Sequence, residues 1–136
     1  MDQYRQFAVP SCRKLVQNIQ QSGAMVHLMN SEVRVPYLVA EAELGVDIIN
    51  CGPGANMADV KEALSGKICY SGNLDPIEVL MKGTPDQIAA EVRRIVDTCH
   101  ADGGYLFCTG EMNPRDVPEE NMWAMVEAVR QCGGAP

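Results

Sequence analysis

The chain has 136 residues, enough for a single domain over 1–136 and too few for two. Hydrophobic residues make up 46% and aromatics 5%, so the expected core is aliphatic, and a net charge of -7 with scattered basic residues argues against nucleic-acid binding. No apolar run approaches the ~20 residues that span a bilayer, and Met1-Asp2-Gln3-Tyr4-Arg5 is no export signal, so the expected location is cytoplasmic with the six cysteines as reduced thiols.

Cys12, Leu15, Val16 and Ile19 recur at helical spacing, and Gly23 closes that helix. Ala24 to Met29 reads as the first strand. Val35, Leu38, Val39 and Ala42 form the next helical face, with Pro36 near its start and Gly45 beyond its end. Val46 to Cys51 is the second strand and Gly52-Pro53-Gly54 the loop after it. Met57, Val60 and Leu64 mark a short helix, and Lys67 to Ser71 is the third strand.

A helix opens at Asp75-Pro76, and a longer one carries Ile88, Val92, Ile95, Val96 and Cys99. Asp75 is placed to cap the first, and Thr84-Pro85-Asp86-Gln87 reads as a capping box for the second. Gly104 to Thr109 is the fourth strand. The last helix runs from Pro118 to about Gln131, with Met122, Met125 and Val126 as its buried stripe and Trp123 as a packing anchor. Strands and helices alternate throughout, the pattern of an α/β parallel sheet with crossover helices.

Gly72-Asn73-Leu74-Asp75-Pro76, Gly83-Thr84-Pro85 and Pro118-Glu119-Glu120-Asn121 each stand at a handover between elements. Their order and spacing resemble the uroporphyrinogen decarboxylase superfamily, which holds porphyrinogen decarboxylases and cobalamin-dependent methyltransferases on (β/α)8 barrels. The resemblance runs from Phe7-x-x-Pro10 to the final helix. It implies the C-terminal half of a TIM (β/α)8 barrel, four parallel strands alternating with helices. Such a piece leaves a bare inner wall and two unpaired edges, so the expected partner is a second copy of the chain or a complementing barrel half.

Chemistry in such barrels sits at the carboxyl ends of the strands. His27 and Met29 are two residues apart, so both are expected to project into the barrel mouth. The methyltransferases resemble this stretch with His-x-Cys, the start of a zinc site, whereas a thioether at Met29 is a poor zinc ligand. Gly110-Glu111 stands where the methyltransferases have Gly-Cys and the decarboxylases Gly-His. The resemblance thus implies His27 and Glu111 as catalytic residues and ligands of a zinc ion, with Met29, Asn73 and Asp75 contacting substrate. Cobalamin would be carried by a partner corrinoid protein.

Plainer roles compete at each position. His27 could bond a backbone carbonyl, Glu111 could be a solvated loop carboxylate, and Asp75 is accounted for by capping. Cys51 and Cys108 also end strands near His27 and would make an open zinc site with it, or else be core thiols. The Arg-rich segment of the decarboxylases has no match here. Three functions stay open: a corrinoid-dependent methyltransferase module, a decarboxylase fragment or relative, and a non-catalytic barrel half acting in assembly.

Overall fold

The computed structural model describes residues 1–100 and 103–133. A π-helical turn, Tyr4–Ala8, leads into α1 (Val9–Gln21), then β1 (His27–Leu28), α2 (Val35–Ala42), β2 (Ile48–Asn50) and α3 (Met57–Leu64). There follow β3 (Cys69–Leu74), a second π-helical turn (Pro76–Met81), α4 (Pro85–Cys99), β4 (Tyr105–Thr109) and α5 (Glu119–Gln131). All strand pairs are parallel, in the order β1-β2-β3-β4. Among the described residues the sheet is open at both edges.

Helix starts follow the predicted chemistry. Asp75 Oδ1 accepts from the backbone N–H groups of Ile77 and Glu78, both at 2.8 Å. Thr84 and Gln87 form the reciprocal capping box ahead of α4. Asn56 caps α3 by accepting from Ala58 N at 3.1 Å, a cap that was not among those predicted. Two donors are satisfied at Asp75 alone, so the orphan N–H groups of these turns are met by side chains.

Alternate strand residues face the helices. Ile49 and Tyr70 pack with Leu38, Met57, Val60 and Leu64 of α2 and α3. Leu74 joins Ile88, Val92 and Ile95 of α4 and Ala128 of α5, while Val16 of α1 meets Leu44 and Val46. Burying each large aliphatic side chain is worth roughly 1.5–3 kcal/mol, so the three clusters bind the helix layer to the sheet.

Four expectations are corrected. β1 is shorter than Ala24 to Met29, because Val26 N donates to the Asp47 side chain at 2.7 Å instead of to a strand. β3 runs past Ser71 to Leu74 and keeps pairing with β4, Asn73 opposite Cys108 and Leu74 opposite Thr109. Gly72 permits this close strand packing: a Cβ there would sit 2.6 Å from the Cys51 carbonyl oxygen. Leu15 points outward from α1 and is 61% exposed. Trp123 is also outside, 55% exposed, its Nε1 donating to Glu119 at 3.3 Å, because Asn121 and Ala128 occupy the buried side of α5.

The opposite face of the sheet carries His27, Asn50, Ser71, Leu106 and Cys108 in strand alternation. Leu106 there is 48% exposed, and His27 is exposed as well. A wall holding an exposed leucine among polar groups is the inner surface expected of an incomplete ring.

Candidate functional site

Asn50, the last residue of β2, is completely buried and organises the carboxyl rim. Its Nδ2 donates to the carbonyl oxygens of Asn30 and Gly110, each at 2.8 Å. Its Oδ1 accepts from Ser71 Oγ and from the Cys108 thiol, each at 3.3 Å. One amide thereby uses both donors and both lone pairs, tying the loops after β1 and β4 to the strand between them. Glycines permit that approach. A Cβ at Gly52 would stand 2.4 Å from the Ser31 carbonyl oxygen, and one at Gly110 would stand 2.5 Å from Pro53 N.

The joined loops enclose a cleft of about 520 Å³ lined by Met29, Asn30, Ser31, Asn50, Thr109, Glu111, Met112 and Asn113. Ser31 donates its hydroxyl to Glu111 Oε1 and so braces the carboxylate. Among the described residues, Glu111 is the one charged side chain in this lining, and Met29 and Met112 supply its apolar surface.

The structure divides the predicted site residues into three places. Met29 and Glu111 share the rim cleft. His27 is not part of its lining; it is registered with Ile48, and its Nε2 reaches past β2 to lie 3.1 Å from Ser71 Oγ. Asn73 and Asp75 line a separate cleft of about 290 Å³ with Pro53, Gly54, Ala55, Glu91 and Arg94. There Asn73 donates to the Gly52 and Ala55 carbonyls at 3.1 and 2.9 Å, an orientation that leaves its buried Oδ1 with no partner among the described residues.

The donors at the rim do not converge on a zinc ion. His27 and Glu111 are engaged by different serines. Among the described residues, no three His, Cys, Asp or Glu side chains are placed to hold a metal ion. Cys51 cannot join His27, since it lies in the helix-side core and burial pushes its thiol up to about 12. Cys108 is not core: it is half-buried on the wall with Asn50. Its thiol is also raised by burial. The described residues by themselves therefore lack a complete zinc ligand set.

Charges behind the rim stabilise its first loop. Glu32 receives Arg34 Nε and Nη2 at 2.8 and 2.7 Å and two backbone N–H groups. Chiefly through the Arg34 hydrogen bond, its carboxyl falls to about 2. Arg34 also lies 4.1 Å over the Tyr37 ring. Glu41 of α2 is buried and accepts from Asn30 Nδ2 at 2.8 Å, with burial raising its pKa. Cys108 is a candidate zinc ligand in the sequence, beside His27 and Cys51, but Asn30, Ser31, Asn50 and Ser71 are not among the predicted site residues. Only the placement of the strand ends signalled them.

A parallel sheet with helices on one face and polar side chains gathered at its carboxyl ends defines a segment of a β/α barrel. The chain belongs to the family described as uroporphyrinogen decarboxylase (URO-D), which matches residues 1–132. It is 28% identical over 134 residues to uroporphyrinogen decarboxylase of Chlorobium luteolum, covering 96% of this chain and 38% of that protein. The enzyme of the same name from Pectobacterium atrosepticum is 28% identical over 142 residues, covering 97% of this chain and again 38% of the relative. A methyltransferase from Methanosarcina mazei superposes with a TM-score of 0.82 at 21% identity, over 98% of this chain and 38% of that one. The likeness is one of fold, and it makes this sheet a partial TIM barrel. The chain thus spans about 38% of the length of the relatives it matches.

Proposed function

We propose that the chain is a methyltransferase-type module of this family, moving a methyl group between a small substrate or thiol and a cobalamin carried on a partner corrinoid protein. The observation that carries this reading is the charge of the rim cleft: its one ionic lining residue is Glu111, an anion. A porphyrinogen bearing many carboxylates needs guanidinium or ammonium groups to receive it. The lining offers none. The structural similarity to a protein named as a methyltransferase supports the same choice.

The activity belongs to a completed ring, since the chain is only part of the length of its relatives. A second copy or a complementing barrel half covers the wall around Leu106 and pairs with the free edges of β1 and β4. In that ring Glu111, braced by Ser31, faces substrate beside Met29. His27 holds or passes a proton at Nε2 through Ser71. Asn73 and Asp75 bound a neighbouring cleft. Zinc would activate a thiol by lowering its pKa; His27 and Glu111 are bonded to different serines and are not grouped as a metal site, so the ligands of such an ion would have to come from the completing polypeptide. The six cysteines suit a reducing cytoplasm. Among the described residues no helix is long and apolar enough to cross a membrane.

The test is association of the purified chain with a corrinoid protein, measured by the change in cobalamin absorbance on mixing. Saturable binding, together with methyl transfer lost in Glu111→Ala, is the expected result. Absence of any interaction in the assembled ring overturns the proposal. A second reading, a non-catalytic barrel half acting in assembly, is favoured by the separation of His27 from the cleft that holds Glu111. The decarboxylase reading is favoured by the names of the relatives and requires cations supplied by another segment.

A further inference from the structure

Resting on the methyl-transfer reading, we infer that the rim cleft selects small onium donors, quaternary ammonium or tertiary sulfonium compounds, over methyl ethers, alcohols and anions. Three features of the lining carry this. Glu111 supplies a fixed negative charge: one oxygen is held by Ser31, and no ion pair among the described residues engages it. Met29 and Met112, 57% and 88% exposed, present thioether chains to the same cleft. Such chains are polarisable and adapt to apolar N-methyl or S-methyl groups. The remaining side chains, Asn30, Ser31, Asn50, Thr109 and Asn113, are neutral.

The reaction demands the same class. When methyl leaves an onium centre, the nucleophile forms the new bond to carbon and the C–N or C–S bond breaks. Its electron pair stays on a departing neutral amine or sulfide, so no proton has to be delivered. An ether or alcohol would leave as an alkoxide and would need an acid beside it. Among the described residues, no imidazole, thiol or ammonium side chain lines the cleft; His27 is turned to Ser71. A carboxylate that attracts a cation without protonating a leaving group is therefore sufficient here.

Tetramethylammonium is the probe, with tert-butanol as a neutral analogue of similar shape and acetate as an anion. The chain has eight methionines, and their ¹³C-labelled methyl groups report the cleft directly, Met29 and Met112 being assigned by Met→Leu variants. Tetramethylammonium is expected to shift those two signals saturably and leave the others in place, which also reports an intact fold. Glu111→Gln should weaken binding about tenfold, the scale of a single charge contact at a protein surface, and Glu111→Asp should restore part of it. Acetate should produce no shift. Equal response to tert-butanol, or unchanged affinity in Glu111→Gln, overturns the inference. Methyl transfer from a methoxy donor without tetramethylammonium binding would overturn the selectivity and leave the function standing. Binding in a ring that engages no corrinoid protein would sustain the selectivity and overturn the function.

Discussion

The side-chain amide of Asn50 donates to the carbonyl oxygen of Gly110 at 2.8 Å, across 60 residues of sequence. The same nitrogen donates to Asn30, so a single buried residue holds two rim loops in register. The cleft exists because those loops meet. Its chemistry comes from what they carry: Met29 and Ser31 on one side, Glu111 and Met112 on the other.

Asn50→Ala should therefore loosen the rim more than the sheet. Two carbonyls lose their donor and two donors lose their acceptor in a buried setting, at a cost of about 2 kcal/mol or more. Urea unfolding measures the loss. Hydrogen exchange should show faster opening over residues 30–34 and 110–113 than over β3.

Thr84→Ala removes half of the capping box on α4. The expected loss is about 1 kcal/mol, read as a lower thermal midpoint. Thr84→Ser keeps the hydroxyl oxygen and should stay close to the parent protein.

Acid should weaken the first rim loop through Glu32. Its folded pKa is depressed from 4.5 to about 2 by Arg34, so the unfolded chain binds that proton more tightly. The stabilisation is fully present above pH 4.5 and is lost as pH falls towards 2. Glu32→Gln should lower stability at neutral pH and flatten the acid limb of a stability–pH curve.

Glu41 works in the opposite direction. Burial raises its folded pKa, so the folded protein holds the proton more tightly, and the ionised group costs stability at neutral pH. That cost is relieved as pH falls through the folded pKa. Glu41→Gln can still accept from Asn30 through its amide oxygen. The variant should melt a few degrees higher at pH 7, with the gain shrinking in acid; a lower melting point at pH 7 would contradict this.

The helix ends were legible in the sequence because their chemistry is local. Thr84 with Gln87, and Asp75 with the next three residues, contain their own hydrogen-bond partners. The helix-facing stripe through Ile88, Val92 and Ile95 was legible from periodicity, which is local too. The site was less so. Asn50 ends an apolar run and looks unremarkable until carbonyls from residues 30 and 110 converge on it. His27 and Met29 share a parity, yet the ladder ends at Leu28, so Met29 follows the loop into the cleft while His27 remains bonded to Ser71. Leu15 obeys helical spacing but lies on the flank that the described elements leave open.

Sedimentation of the purified chain tests the central claim most directly, that this arc is the wall of a ring completed by another polypeptide. A self-associated species is expected, in which Leu106 becomes protected and which Leu106→Glu dissociates. A folded monomer, stable at micromolar concentration with β4 amides exchanging freely along its edge, would contradict it.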